Sequence, residues 1–182
     1  LPVIVPLTIQ RDPREPIVKI TIQKQDVVLR QGEWSEWIPL SFALLPHFAA
    51  VHGMVRIYVQ QVHPHFHLYL SPINIDPTDA ELPIANPAGY SRELSEVVGR
   101  FYTQGFPEDT KALSHGIFTS EEFLQQSKYV LQERLKAFDY ELNRFDKGLF
   151  FFYFSSLDQN SHVLLRTMDP GHPLYEPDAS AE

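Results

Sequence analysis

The chain has no cysteine. That excludes thiolate metal sites, disulfide staples and thiol nucleophiles, and it leaves the compartment open, because many exported proteins also do without cysteine. A basic surplus is missing too: 15 Lys and Arg against 23 Asp and Glu give a formal net charge of −8. Such a balance does not suit a protein that tracks a phosphate backbone, so no nucleic-acid backbone binding is expected. Long hydrophobic runs are also lacking, and no stretch approaches the roughly 20 apolar residues of a membrane span. No internal repeat is evident. At 182 residues the chain suits one large domain or two small ones. A chain of that length buries roughly 70% of its unfolded surface and needs no staple.

The opening Leu1-Pro2-Val3-Ile4-Val5-Pro6 carries no initiator Met, basic n-region or small-residue cleavage site. The closing Glu176-Pro177-Asp178-Ala179-Ser180-Ala181-Glu182 holds no further periodic element. Both ends lead to the expectation of an internal piece of a longer protein, with any export signal lying before Leu1.

What is present divides into three stretches. Residues 1–71 read as β: Ile17 to Ile22, Val27 to Leu29, Trp34 to Phe42, Val51 to Val59 and Phe66 to Leu70 are short apolar runs with turns between them. Such spacing predicts an antiparallel sandwich or open, barrel-like sheet. Residues 72–118 are rich in Pro, Asn, Asp and Gly and predict a loop-rich connector, with one short helix from Ser91 to about Tyr102 on Leu94, Val97, Val98 and Phe101. Residues 119–182 open with Thr119 and Glu122 at capping-box spacing, which starts a helix from Ser120 to about Phe145. Its expected buried stripe is Leu124, Leu131, Leu135, Phe138, Leu142 and Phe145, with Gly148 where the chain leaves the helix. Leu149 to Phe154 shows no alternation and predicts a strand buried on both faces. The fold class expected is therefore α+β.

Chemistry concentrates after that run. Asp158 and His162 are four apart, so if a helix starts there they share one face. An Asp oxygen and a neutral imidazole nitrogen are good donors to zinc and related divalent ions. The same spacing also describes a helix N-cap aspartate beside a surface histidine. His63, His65 and His67 alternate, as metal-chelating histidines on one strand face do, but Ser71-Pro72 stands where a companion glutamate is wanted; a solvated polar face is the other reading. Trp34 and Trp37 suit either a sugar-stacking platform or plugs at a sheet edge. Asp76, Asp79 and Glu81 lack the regular spacing of a calcium loop.

The run Phe151-Phe152-Tyr153-Phe154-Ser155-Ser156-Leu157-Asp158-Gln159-Asn160-Ser161-His162, followed by Met168-Asp169-Pro170-Gly171-His172-Pro173-Leu174-Tyr175, resembles the bacterial type I phosphodiesterase/nucleotide pyrophosphatase branch of the alkaline phosphatase superfamily. Ser71-Pro72-Ile73-Asn74-Ile75-Asp76-Pro77 and Phe101-Tyr102-Thr103-Gln104-Gly105-Phe106-Pro107-Glu108-Asp109-Thr110 are similar to segments of the same proteins, so the resemblance spans about residues 66–177. It implies a two-metal hydrolase of phosphoesters, usually with zinc, in which Asp158 and His162 belong to one metal site. It implies further that residues 1–71 are an insertion and that Leu149–Phe154 is one strand of an alkaline-phosphatase-like sheet. The nucleophile and the remaining ligands belong to other parts of such enzymes; Ser155 and Ser156 do not match the nucleophile. The expected partners are the rest of the parent polypeptide and a phosphoester substrate, with self-association through Leu149–Phe154 as another use of that strand. Metal binding by the piece alone is expected to be weak or absent. The alternative from another class is a stand-alone β-sandwich interaction or carbohydrate-binding module without catalysis.

Overall fold

A computed structural model describes residues 3–45 and 49–177. The chain divides into two compact units, Leu1–Arg92 and Glu93–Glu182.

The first unit is built from β1 (Leu7–Arg11), β2 (Ile17–Ile22), β3 (Gln25–Arg30), β4 (Ile38–Leu45), β5 (Ala49–Val55), β6 (Ile57–Gln61), β7 (His67–Leu70) and β8 (Asn74–Ile75). They form three antiparallel sheets, ordered β1-β2-β3, β4-β5-β8 and β6-β7, and none of them is a closed barrel. Strand β2 shows why: Val18, Ile20 and Ile22 are buried while Lys19 and Thr21, on the other face, are only half-buried. That alternation is the period of a pleated strand with one face on a core. Leu29, Ile38, Leu40, Val55, Ile57 and Val59 complete the core from the neighbouring strands.

The expected single run Val51 to Val59 is two strands in different sheets. They divide at Arg56, which is buried, donates from Nη1 to Ser35 O at 2.9 Å and lies 4.8 Å over the Trp37 ring. Gly53 lets β8 come close. A Cβ there would lie 2.7 Å from Ile73 Cγ2, so a larger residue would push the strands apart. Residues 72–92 therefore belong with the β unit through β8, instead of forming a separate connector with the residues that follow.

The division between the units falls inside α1 (Tyr90–Val98), which is followed by α2 (Thr110–Ser114), α3 (Ser120–Arg144) and α4 (Ser155–Met168). On α1, Leu94 is buried as expected, whereas Val97 is 56% exposed. The capping box of α3 forms as its sequence predicts: Thr119 Oγ1 accepts from Glu122 N at 3.2 Å, and the Glu122 carboxylate accepts from Thr119 N at 2.8 Å. The side that α3 buries is different from the expected stripe. Ser120, Phe123, Gln126, Ser127 and Val130 are its buried residues, while Leu131, Leu135, Leu142 and Phe145 are each more than a third exposed. Two ridges run along this helix: the shorter, with three polar residues in it, is buried, and the longer is covered only in part, as at Phe138.

Leu149–Phe154 also departs from expectation. The segment forms no helix and, among the described residues, pairs with no strand, so no sheet is seen to bury it. Its even-numbered rings turn inward: Phe150, Phe152 and Phe154 lie 5.9, 5.4 and 5.4 Å from Phe138, centroid to centroid. The odd-numbered side chains turn out, with Leu149 93%, Phe151 81% and Tyr153 49% exposed. Among the described residues no helix is long and apolar enough to cross a membrane.

The contrast between the two ridges of α3 is measurable. Phe123→Ala should cost about 3–5 kcal/mol in denaturant unfolding. Leu135→Ala should cost less than about 1 kcal/mol, because the side chain is half exposed and alanine favours helix.

Candidate functional site

The first turn of α4 carries the candidate chemistry. Its N-cap is Phe154, which makes no side-chain capping bond, so Asp158 lies inside the helix and is not its cap. One turn separates Asp158 from His162, and the helix brings Asp158 Oδ1 to 3.4 Å from His162 Nε2. Both are accessible, with side-chain exposures of 49% and 77%. The other carboxylate oxygen, Oδ2, lies 3.4 Å from the Tyr153 hydroxyl, which donates to it from the end of the extended strip. Partial desolvation raises the Tyr153 pKa above the ordinary phenol value, and the negative charge of Asp158 raises it further.

Below this exposed trio is a buried polar layer. Ser156 donates from Oγ to Glu108 Oε1 at 2.6 Å, with Glu108 2% and Ser156 3% exposed. Asn160 donates from Nδ2 to Ser127 Oγ on α3 at 2.8 Å. Beside Asn160 a groove of about 410 Å³ runs between α3 and α4, lined by Leu131, Leu157, Leu165 and Met168 among others.

The other candidates disperse. Only His67 lies in a strand, because β7 begins there; His63 and His65 sit in the preceding turn, and the His63 ring bonds Asp12 O at 2.8 Å. The three histidines therefore do not line one strand face, and the chelating arrangement is lost. Trp34 and Trp37 are each 8% exposed, so they offer no stacking platform. Trp34 instead stacks on Tyr58 at 4.9 Å and meets Tyr69 edge-on at 5.7 Å.

A cluster that sequence spacing does not reveal is His52 with Asp79 and Glu81. The Nδ1 atom of His52 is 2.9 Å from both Asp79 Oδ2 and Glu81 Oε1, and His52 N donates to Glu81 Oε1 at 2.8 Å. It joins β5 to the loop after β8. Asp76, the third acid of that loop, is buried and accepts from Thr78 N and Oγ1 at 3.0 and 2.7 Å, which makes a turn and not an ion site.

Asp158 and His162 fit a metal in one specific respect. Zinc bonds O and N donors at about 2.0–2.2 Å in tetrahedral geometry, which puts neighbouring donor atoms roughly 3.3–3.5 Å apart. Their 3.4 Å separation falls in that range and is long for a hydrogen bond. Among the described residues no group of three or more His, Asp or Glu side chains is placed to hold a metal. Comparison with family models, with curated proteins and with solved structures finds no match.

The coupling between Tyr153 and Asp158 is open to test. In Asp158→Asn the Tyr153 phenol should ionise at lower pH than in the wild type, since a neutral neighbour no longer opposes the phenolate. Proton NMR titration of the Tyr153 ring reads this directly; an unchanged midpoint would show the two groups apart in solution.

Proposed function

We propose that this chain forms part of a metal-dependent phosphoester hydrolase of the phosphodiesterase/nucleotide pyrophosphatase type, contributing Asp158 and His162 as two donors of one metal site. The observation that carries the reading is the 3.4 Å separation of the two donor atoms on one exposed turn of α4, directly after an apolar extended segment. It is supported by the resemblance over residues 66–177. A divalent ion, zinc by donor preference, supplies Lewis-acid stabilisation of charge on phosphoryl oxygens in this chemistry. What the chain itself does is orient: α4 fixes the spacing of the donors, and Tyr153 anchors the free carboxylate oxygen so that Oδ1 faces His162.

The exposed side of Leu149, Phe151 and Tyr153 supports the second half of the proposal. A strip anchored through its even-numbered rings, with no strand paired to it among the described residues, is ready to be taken into a larger sheet. In this reading the sheet is that of the parent hydrolase, and residues 1–71 are an insertion. The rival reading, a carbohydrate-binding module, would need aromatic faces open to a sugar, and Trp34 and Trp37 are buried.

A catalytic zinc usually takes three protein donors. The 182-residue chain should accordingly bind Zn²⁺ weakly and not turn over bis(p-nitrophenyl) phosphate. Zinc titration followed by NMR should move the resonances of Asp158 and His162 first, and His162→Ala should abolish that response. Robust zinc-dependent turnover by these residues alone, or a zinc response centred on other residues, would contradict the proposal.

A further inference from the structure

The turn of α4 that carries the donors is held from its other side. An α-helix rotates about 100° per residue, so Ser156 and Asp158 point about 200° apart, as do Asn160 and His162. Ser156 and Asn160 make the inward bonds, and Leu164 and Thr167 continue the same buried stripe at 6% and 7% exposure. Which way Asp158 and His162 face is therefore decided by what Ser156 and Asn160 grip.

The stronger grip is Glu108. The residue after it is held between two helices: Asp109 N donates to Gln126 Oε1 of α3 at 2.7 Å, and Asp109 Oδ1 caps α2 by accepting from Ala112 N at 2.9 Å. From that fixed base the Glu108 side chain reaches the second residue of α4, 48 positions along the chain, in a bond of 2.6 Å. A carboxylate beside the first turn of a helix also complements its dipole. Glu108 Oε2, Gln126 Nε2 and Ser155 Oγ are buried beside this bond and make no hydrogen bond among the described residues.

We propose that Glu108 is a positioning residue for the Asp158–His162 pair, acting through Ser156 to set the rotation of the first turn of α4. The inference rests on the reading of that pair as metal donors, and its test separates the two. The 182-residue chain is compared with Glu108→Ala and Glu108→Gln, because glutamine keeps an acceptor for the Ser156 hydroxyl. Two readouts are taken by NMR: amide hydrogen exchange along α3 and α4, and Zn²⁺ affinity from the His162 ring.

In Glu108→Ala, zinc affinity should fall about tenfold, as when a residue that orients a metal ligand is removed. Exchange should accelerate at residues 158–162 of α4, whose amides are the first to bond back along the helix, while the middle of α3 stays protected. Glu108→Gln should recover most of both. Wild-type zinc affinity and wild-type protection in Glu108→Ala would overturn the proposal, as would failure of Glu108→Gln to differ from Glu108→Ala. If the wild type binds no zinc at His162, the donor reading falls, and the exchange contrast alone decides whether Glu108 sets the turn. If Glu108→Ala unfolds the helical unit, Ser156→Ala, which deletes only the hydroxyl donor, carries the same comparison.

Discussion

Ser156 and Asn160 face inward on α4, and Asp158 and His162 face outward two residues further on in each case. The inward bond to Glu108 is short and buried and that to Ser127 is part-buried, whereas the outward side chains are open to solvent. Every functional statement about this chain depends on that division. Were α4 free to roll by one residue position, about 100°, the two donors would stay 3.4 Å apart but present themselves elsewhere. That the pair shares one face is a property of any helix; the direction of that face is a property of this packing.

The second constraint is apolar. Leu149 and Phe151 stand out from an unpaired extended strip, and Leu131, Leu135 and Leu142 from the long helix. Exposed apolar side chains scattered singly are ordinary, but a strip and a ridge within one unit mark a surface that gains by being covered. The proposed cover is the sheet of the parent enzyme. The inward rings show why the strip holds its shape without it: Phe138 touches three of them, and Phe145 adds a contact to Phe150 at 5.5 Å.

Local chemistry was legible in the residues, and long-range chemistry was not. The Thr119–Glu122 box and the alternation of β2 are decided by near neighbours, and both form as read. The Asp158–His162 contact follows from helical periodicity alone and also appears. In Leu149–Phe154 the alternation is real, but every side chain is apolar, so a period of two leaves no mark in the letters. The covered face of α3 was missed because Gln126 and Ser127 interrupt it; their polarity is met by Asp109 N and Asn160, partners far along the chain. The three alternating histidines suggested a strand face that the turn at His63 to His65 removes. The Glu108–Ser156 bond and the His52 cluster join distant segments and leave no spacing to find.

The central claim is that one exposed turn of α4 offers a carboxylate oxygen and an imidazole nitrogen to the same ion. Zinc K-edge X-ray absorption of the 182-residue chain with one equivalent of Zn²⁺ tests it most directly. The account predicts a first shell containing one imidazole and one carboxylate oxygen, completed by water, with the imidazole scattering lost in His162→Ala. A spectrum of fully hydrated zinc, or an imidazole signal that survives His162→Ala, would contradict it.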